Sequence, residues 1–304
     1  MMMNSIDTYL SVRRALGFKL RADQTYLESY ARFAAKAGDS HMHAQTAIAW
    51  AKLTSSDESR AVRLNVLIRF ARFARAGDDR HEVPPSDVFC RRRQRRPPYI
   101  FSDDEVLSIV QHALQLGPRD SMRPHTFSTL FGLLAATGLR ISEALGLCVS
   151  DFTVEGLRIR ETKSRKSRLV CLHESVVTML DRYLAMRSMI ASTDGHIFVA
   201  HRTGRRLDYS VVADTFHSVL HLAGIKGPPG GHCPRLHDFR HRFAVKALLT
   251  CPNVRDRVDK HVLALSTYMG HAHVADTYWY LNSTPELMSD IVNACDSFFQ
   301  GGSS

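Results

Sequence analysis

Apolar residues recur three and four positions apart over much of the first 90 residues, which is the spacing of the buried face of an amphipathic helix. The spacing is visible from Tyr9 to Leu16, breaks at Gly17 and then resumes. The last segment of this kind, residues 60–75, places arginines around an apolar stripe, a pattern that usually marks a solvated charged face. We therefore predict several amphipathic helices between about residues 5 and 90.

Beyond residue 98 the pattern mixes helical and strand-like segments. Residues 102–105, Ser-Asp-Asp-Glu, have the composition of a capping box and predict a helix that runs to about Leu116. The nearly all-apolar segment from Phe127 to Ala136 predicts a helix buried on most sides. Gly138 then suits the C-cap of that helix.

Two segments with strand alternation, residues 157–160 and 168–172, flank a polar, basic turn and predict an antiparallel hairpin. The other predicted elements are helices at about 174–190 and 209–222, a short strand from Ile197 to Val199, and a Gly/Pro-rich loop at 227–231. A further helix follows that loop. The fold class predicted from the sequence is therefore mainly α with a small antiparallel β-sheet.

The composition indicates a nucleic-acid partner. The chain has 304 residues, a formal net charge of +10 and a pI near 9.5, which favours a polyanion, nucleic acid before membrane. The arginines of residues 60–75 are therefore predicted either to contact DNA or to form a solvated charged face. No run of eighteen apolar residues is present, and residues 1–7 do not have the pattern of a signal peptide. Six cysteines without a C-x-x-C pair suggest the reduced thiols of a cytoplasmic protein.

An arginine-rich segment separates the two halves of the chain. Residues 90–98 combine mutually repelling arginines with two prolines, which oppose a helix and predict an extended linker. The arginines suited to DNA phosphates are Arg91, Arg92, Arg93, Arg95 and Arg96. Interpreting the same run as a nuclear-localisation signal is a weaker alternative. We predict a helical domain at 1–90, a linker at 91–98 and a second domain at 99–304.

Residues that can carry chemistry are concentrated between positions 235 and 281. His237 and Arg240 lie three positions apart, so a helix would present both on one face. A guanidinium beside an imidazole suits a phosphate, since one binds the oxygens and the other can exchange a proton near neutral pH. His271 follows a glycine, and Tyr280, nine positions later, carries a hydroxyl that could attack phosphorus. Tyr278 is a rival for that position.

In this order, the H-x-x-R run, the Gly-His pair and the tyrosine resemble the second half of the active site of tyrosine recombinases, the phage integrase family. The family also has an arginine after a T-G-x-R turn, which Arg140 matches, and a lysine in a β-hairpin, which Lys163 matches. Lys166 lies at the same hairpin tip and is an alternative to Lys163. The resemblance implies a helical core-binding (SAM-like) domain, which clamps the duplex, followed by a mixed α+β catalytic domain.

The resemblance also implies a function, site-specific DNA recombination through a 3′-phosphotyrosyl intermediate. Arg140, Arg240 and His271 would bind the non-bridging oxygens, while Tyr280 attacks. The remaining implied roles are His237 as proton acceptor, Lys163 as donor to the 5′-oxygen, Arg165 and Lys166 as DNA contacts, and Glu143 and Asp238 as residues that orient Arg140 or His271. No metal or cofactor is expected, because such chemistry depends on positioning and on fixed positive donors.

The implied partners are double-stranded DNA and three further copies of the chain, with no membrane. A C-terminal helix over residues 285–299 would dock into the neighbouring protomer and link a homo-tetramer on DNA, with accessory recombinases as further partners and the bacterial nucleoid as the location. The spacing between Arg240 and His271 exceeds that expected of a compact recombinase. We attribute the surplus to a surface insertion around Pro252 to Lys260, of the sort seen in transposon-borne members, which favours integration, excision or transposition of a mobile element.

Three other interpretations compete with this one. A type IB topoisomerase would share the nucleophile and the chemistry, and a regulator on the same fold would bind DNA without cutting it. A zinc site formed by His271 and His273 with His232, Cys233 or His237 is less favoured, because paired ligands on a second arm are missing from the sequence.

Overall fold

In a computed structural model, the structure describes residues 2–89, 98–118, 120–160, 167–189, 195–228, 233–250, 255–271 and 273–281. The side chains of residues 255–258, 278, 279 and 281 are not described. The chain divides into two compact units, Met1–Arg96 and Pro97–Ser304. The arginines predicted for the linker, from Arg91 to Arg96, lie outside the described residues.

Aromatic packing holds the first unit together. Its helices are α1 (Met2–Ala15), α2 (Arg21–Lys36), α3 (Ala44–Ala51) and α4 (Asp57–Arg75). Trp50 of α3 meets Tyr30 of α2 edge-on, with ring centroids 5.8 Å apart, and both side chains are almost fully buried. Ser56 caps α4 by accepting a hydrogen bond from the backbone N–H of Ser59. The apolar stripe predicted for residues 60–75 is buried, and it leaves Arg69, Arg72 and Arg75 exposed.

The second unit is built around one buried helix. Its elements are α5 (Asp103–Ala113), α6 (Arg123–Thr137), α7 (Ile141–Gly146), β1 (Phe152–Thr153), β2 (Gly156–Ile159), β3 (Arg168–Val170), α8 (Glu174–Arg187), α9 (Tyr209–Leu222), α10 (Asp238–Leu249), α11 (Arg255–Met269) and α12 (Ala275–Leu281). Helix α6 packs against α5, α8 and α10. Phe131, Phe216 and Phe239 form an aromatic cluster between α6, α9 and α10.

The strands form a small antiparallel sheet with the order β1-β2-β3 in the described part of the chain. Leu157 pairs with Val170 and Ile159 with Arg168, and this register buries Leu157, Ile159 and Val170 on one face. The sheet confirms the predicted hairpin, although its tip, residues 161–166, lies outside the described residues. The fold is mainly helical with a small antiparallel sheet, as the sequence predicts.

Local signals located several boundaries correctly. Ser102 and Glu105 form the predicted capping box, and Gly138 ends α6 with a φ of +60°. The strand predicted at Ile197 to Val199 is wrong, because this segment makes isolated bridges, Cys148 with His196 and Val199 with Arg206, in place of a ladder.

The surplus residues before His271 are partly helical. Residues 255–260, which we assigned to a surface insertion, form the first turns of α11, while 251–254 lie outside the described residues.

Candidate active site

Arg140 is held at the N-terminus of α7 by its own neighbour Glu143. The Glu143 carboxylate accepts hydrogen bonds from the Arg140 backbone N–H (3.0 Å) and from Nη1 of its guanidinium (2.8 Å). The same guanidinium donates to the carbonyl oxygens of Met269 (3.5 Å) and Gly270 (3.0 Å). These contacts bring Arg140 to the turn that follows α11, where His271 lies.

Arg240 approaches the same turn from the first turn of α10. Its side chain is buried, and it donates hydrogen bonds to the carbonyl oxygens of Gly138 (2.8 Å) and Met269 (2.6 Å). The Met269 carbonyl therefore accepts from both Arg240 and Arg140. Burial, reinforced by the charge of Arg140, lowers the pKa of Arg240 to about 10, so this guanidinium is still cationic at neutral pH. Two fixed positive charges thus meet at one backbone position.

Tyr280, on α12, brings a hydroxyl to this pair of arginines. The charges of Arg240 and Arg140 act on this hydroxyl, and the residue is 3 % exposed. Burial raises the pKa of Tyr280, whereas the charges of Arg240 and Arg140 oppose that rise. The phenol is therefore protonated at neutral pH, and the positive charge around it favours its ionised form when a proton acceptor is present.

The two predicted histidines lie at this site with lowered pKa values. Nδ1 of His271 and the hydroxyl of Thr277 are hydrogen-bonded at 2.8 Å. The His271 ring is nearly parallel to that of Tyr280, with centroids 6.2 Å apart. Burial and then the charges of Arg240 and Arg140 lower the pKa of His271 to about 4.

His237 directly precedes α10 as its N-cap residue. Desolvation and then the charges of Arg240 and Arg140 lower its pKa as well. His237 is exposed, and the two nearby guanidiniums disfavour its protonated form. Both imidazoles are neutral at pH 7, and a neutral imidazole can accept a proton.

Two residues of this site were not assigned a role in the sequence analysis. Arg168, the first residue of β3, makes two hydrogen bonds to the Glu143 carboxylate. His241 is buried and makes ring contacts with both His237 and Tyr280, at centroid distances of 4.6 Å and 5.4 Å. His241 could have been suspected because it completes the H-x-x-R-H run. Nothing in the local sequence distinguishes Arg168 from the other arginines of the basic hairpin.

One predicted site residue has a different partner among the contacts found, and several others lie outside the described residues. Asp238, which we expected to orient Arg140 or His271, accepts a hydrogen bond from the Arg235 backbone N–H (2.7 Å), and its carboxylate lies 4.0 Å from the Arg235 guanidinium. Lys163, Arg165, Lys166 and the predicted C-terminal helix at 285–299 lie outside the described residues, as does the side chain of Tyr278.

Within the described ranges, no group of three or more His, Cys, Asp or Glu side chains is arranged to hold a metal ion. In the same part of the chain, Cys148, Cys171 and Cys233 are free thiols, and no helix is long and apolar enough to cross a bilayer.

Two arginines, two histidines and a tyrosine, gathered on a mainly helical unit with a small antiparallel sheet, define a tyrosine-type DNA strand transferase. Residues 100–286 match the phage integrase family, and the chain belongs to that family, whose members cut and rejoin DNA strands. The chain is 36% identical over 296 residues to the "Putative integrase/recombinase y4rB" of Sinorhizobium fredii, covering 94% of each protein.

Solved structures share the fold. The chain resembles the Tn1549 transposon integrase in complex with transposon right end DNA, with a TM-score of 0.64 and 16% identity, over 96% of this chain and 99% of that one. It also resembles a lambda integrase from a tetramer bound to a Holliday junction, with a TM-score of 0.63 and 16% identity, over 92% of this chain and 76% of that one.

Proposed function

We propose that this chain is a site-specific recombinase in which Tyr280 attacks a DNA phosphodiester and forms a 3′-phosphotyrosyl intermediate. The observation that carries the proposal is that the guanidiniums of Arg140 and buried Arg240 meet at the Met269 carbonyl, where both charges act on the buried Tyr280 hydroxyl. A phenol held between fixed cations is a suitable nucleophile for an anionic centre, because the cations stabilise both the phenolate and the added charge of the transition state.

Each residue has a separate role in one displacement reaction at phosphorus. The Tyr280 oxygen forms a bond to phosphorus while the bond from phosphorus to the 5′-oxygen breaks. The phenolic proton passes to His237, which is neutral and can accept it. Lys163 supplies the proton that the departing 5′-oxygen needs.

Arg140 and Arg240 bind the non-bridging oxygens, whose charge grows in the transition state. His271 completes this set. When the Thr277 hydroxyl donates to Nδ1, the ring proton lies on Nε2, from which it can be donated to an oxygen of the phosphate.

Recombination follows from the ester that Tyr280 forms. A phosphotyrosyl bond conserves the energy of the phosphodiester, so a 5′-hydroxyl from a second duplex can displace the tyrosine without a nucleotide cofactor. The same displacement run in reverse requires a proton acceptor for the 5′-hydroxyl, a role that falls to Lys163 in its neutral form. Cutting and joining therefore use one set of groups.

The first unit supplies DNA contacts in this proposal. It is the core-binding domain, residues 1–90, and its α4 arginines lie on the exposed side of a buried apolar stripe. The linker arginines, within residues 91–98, add phosphate contacts whose strength falls with salt. The catalytic domain is then residues 99–304, with the tail helix at 285–299 joining protomers.

The biological task we propose is movement of a mobile element by a homo-tetramer on DNA. Supporting this, one structural neighbour is a transposon integrase on transposon end DNA, and another is a recombinase tetramer on a Holliday junction. The net charge of +10 suits an assembly that holds two duplexes close together.

Covalent trapping tests the proposal. DNA that stays attached to the protein in cells is recovered and sequenced, and its site is rebuilt as a nicked suicide duplex that loses the 5′-hydroxyl after cleavage. We expect a covalent adduct that maps to Tyr280 and disappears in Tyr280→Phe, whereas the matched Tyr278→Phe retains it.

Strand exchange is then assayed between two marked duplexes. DNA binding without an adduct would identify a non-cutting regulator and overturn the proposal. An adduct that relaxes supercoils without exchanging strands would identify a topoisomerase, and recombination would then be rejected.

A further inference from the structure

Arg168 ties the base of the basic hairpin to the active-site turn. It begins β3, two positions after Lys166, and its side chain is 10% exposed. Its Nη1 and Nη2 donate to the two oxygens of Glu143 at 3.1 and 2.9 Å, and its Nε donates to the Tyr268 carbonyl at 2.6 Å. All three nitrogens of this guanidinium are therefore engaged in fixed contacts within the fold.

The Glu143 carboxylate lies between two guanidiniums. Oε1 accepts from Arg140 and from Arg168, while Oε2 accepts from the Arg140 backbone and from Arg168. Glu143 is 6% exposed, but the Arg140 side chain is 27% exposed. Of these three charged groups, Arg140 is thus the one most open to a ligand.

The net charge of Glu143, Arg140 and Arg168 shows what Arg168 contributes. Glu143 paired with Arg140 alone would form a neutral pair, and a DNA phosphate would meet little net charge. Together with Arg168, the three groups carry one net positive charge. Burial raises the pKa of Glu143, but hydrogen bonds and charge from Arg168 and Arg140 outweigh burial and bring the pKa to about 2. The carboxylate is therefore ionised at neutral pH.

Arg168 also supports the turn that carries His271. A Cβ added to Gly270 would lie 2.8 Å from its Nη1, so the guanidinium packs directly on the Gly270 backbone. The Gly270 carbonyl in turn accepts a hydrogen bond from Arg140 at 3.0 Å. One side chain of β3 thereby contacts both the partner of Arg140 and the residue before His271.

We propose that Arg168 is a positioning residue, which neutralises Glu143 so that Arg140 offers its charge to the scissile phosphate, and which fixes β3 against the His271 turn. This inference rests on the proposed function, since it deepens the role of Arg140 in it. We assign Arg168 itself no contact with the DNA, because its side chain is 10% exposed and packs against Glu143 and Tyr268.

The test is single-turnover cleavage of the suicide duplex, with DNA affinity measured separately. We expect Arg168→Gln to slow cleavage by at least about tenfold, with little change in affinity, because the rest of the basic surface still binds the duplex. Arg168→Lys, which keeps the charge without the forked contacts, should recover much of that loss. Arg160→Gln is the matched control, since Arg160 lies on the other arm of the same hairpin and pairs with Asp151.

A double-mutant cycle separates positioning from general support of the fold. If Arg168 acts through Arg140, then Arg168→Gln should change the rate less than about threefold in an Arg140→Ala background. An undiminished loss in that background, or equal losses for the Lys and Gln variants, would overturn the inference. If Arg168→Gln does not fold, Arg168→Lys takes its place in the cycle. The inference is then overturned if the Lys variant loses the same rate with and without Arg140.

Failure of the proposed function would look different. Wild-type protein would then form no adduct at Tyr280. A wild-type adduct together with an Arg168→Gln variant that cleaves at the wild-type rate would reject the role of Arg168 alone.

Discussion

The guanidinium of Arg240 lies within electrostatic reach of the hydroxyl of Tyr280 and acts to lower its pKa, although the whole of α11 separates the two residues in the chain. Both residues are buried, so the interaction is poorly screened by solvent. Arg240 also shares the Met269 carbonyl with Arg140, which places two guanidiniums next to one phenol. The catalytic proposal depends on this arrangement.

Arg240→Ala should slow cleavage by about 10²–10³-fold, since it removes a preorganised donor and further raises the pKa of Tyr280. Arg242→Ala is the control: Arg242 is also buried, but it donates to the Phe101 carbonyl and pairs with Asp103. We expect the control to lower the melting temperature while the folded protein cleaves within about threefold of wild type. Equal rates for the two variants in a single-turnover assay would contradict the role of Arg240.

Gly270→Ala should impair both folding and cleavage. Gly270 has a φ of +65°, and an added Cβ would lie 2.8 Å from Arg168. Gly224 has nearly the same φ, +67°, with nothing within 4 Å of an added Cβ, so Gly224→Ala reports the backbone strain alone. In urea unfolding, we expect the free energy of unfolding to fall by about 1 kcal/mol for Gly224→Ala and by at least about 2 kcal/mol for Gly270→Ala.

Cleavage provides the second comparison for these glycine variants. It should slow markedly in Gly270→Ala, because the clash displaces the turn between Arg168 and His271. Gly224→Ala should cleave at the wild-type rate. If Gly270→Ala lowers the free energy of unfolding by no more than Gly224→Ala does, then Arg168 moves aside without loss of stability.

His241 should make the fold sensitive to acid. Burial, then the charges of His237 and Arg235, lower the pKa of His241 to about 3, against about 6.5 in the unfolded chain. Between these values the unfolded state binds the proton and the folded state does not, so stability is full above about pH 7 and falls as the pH drops. The contribution is about 1.4 kcal/mol per pH unit.

His241→Asn removes this titration. Urea unfolding at pH 5 and pH 7 should therefore show a smaller loss on acidification for the variant than for wild type. An identical loss in both proteins would mean that His241 is protonated within the fold at pH 5.

The two hairpin lysines can be distinguished by the leaving group. We expect Lys163→Ala to slow cleavage strongly, because an alkoxide leaves poorly without a proton donor. A substrate with sulfur in place of the bridging 5′-oxygen needs no such proton and should restore the rate of this variant. Lys166→Ala, the matched change at the same tip, should cleave ordinary DNA at nearly the wild-type rate. Rescue of Lys166→Ala in place of Lys163→Ala would exchange their roles.

Much of the fold could be predicted because its signals are local. The capping box at Ser102, the C-cap at Gly138 and the bounds of α9 follow from side chains within a few positions of one another. The hairpin strands could be predicted for the same reason, since alternation has a short period. The strand predicted at Ile197 to Val199 was wrong because a short apolar run has the same composition whether it pairs as a strand or makes isolated bridges.

The sequence by itself determined the chemical groups, their order along the chain and the basic charge that favours DNA. Tertiary structure alone decided that Arg140 and Arg240 share the Met269 carbonyl, that Glu143 is divided between Arg140 and Arg168, and that His241 lies against Tyr280. The physical reason is the range of the interactions. Helix and strand periods are set by backbone hydrogen bonds between near neighbours, whereas these contacts join residues brought together by the packing of α10, α11 and α12 with the start of α7 and β3.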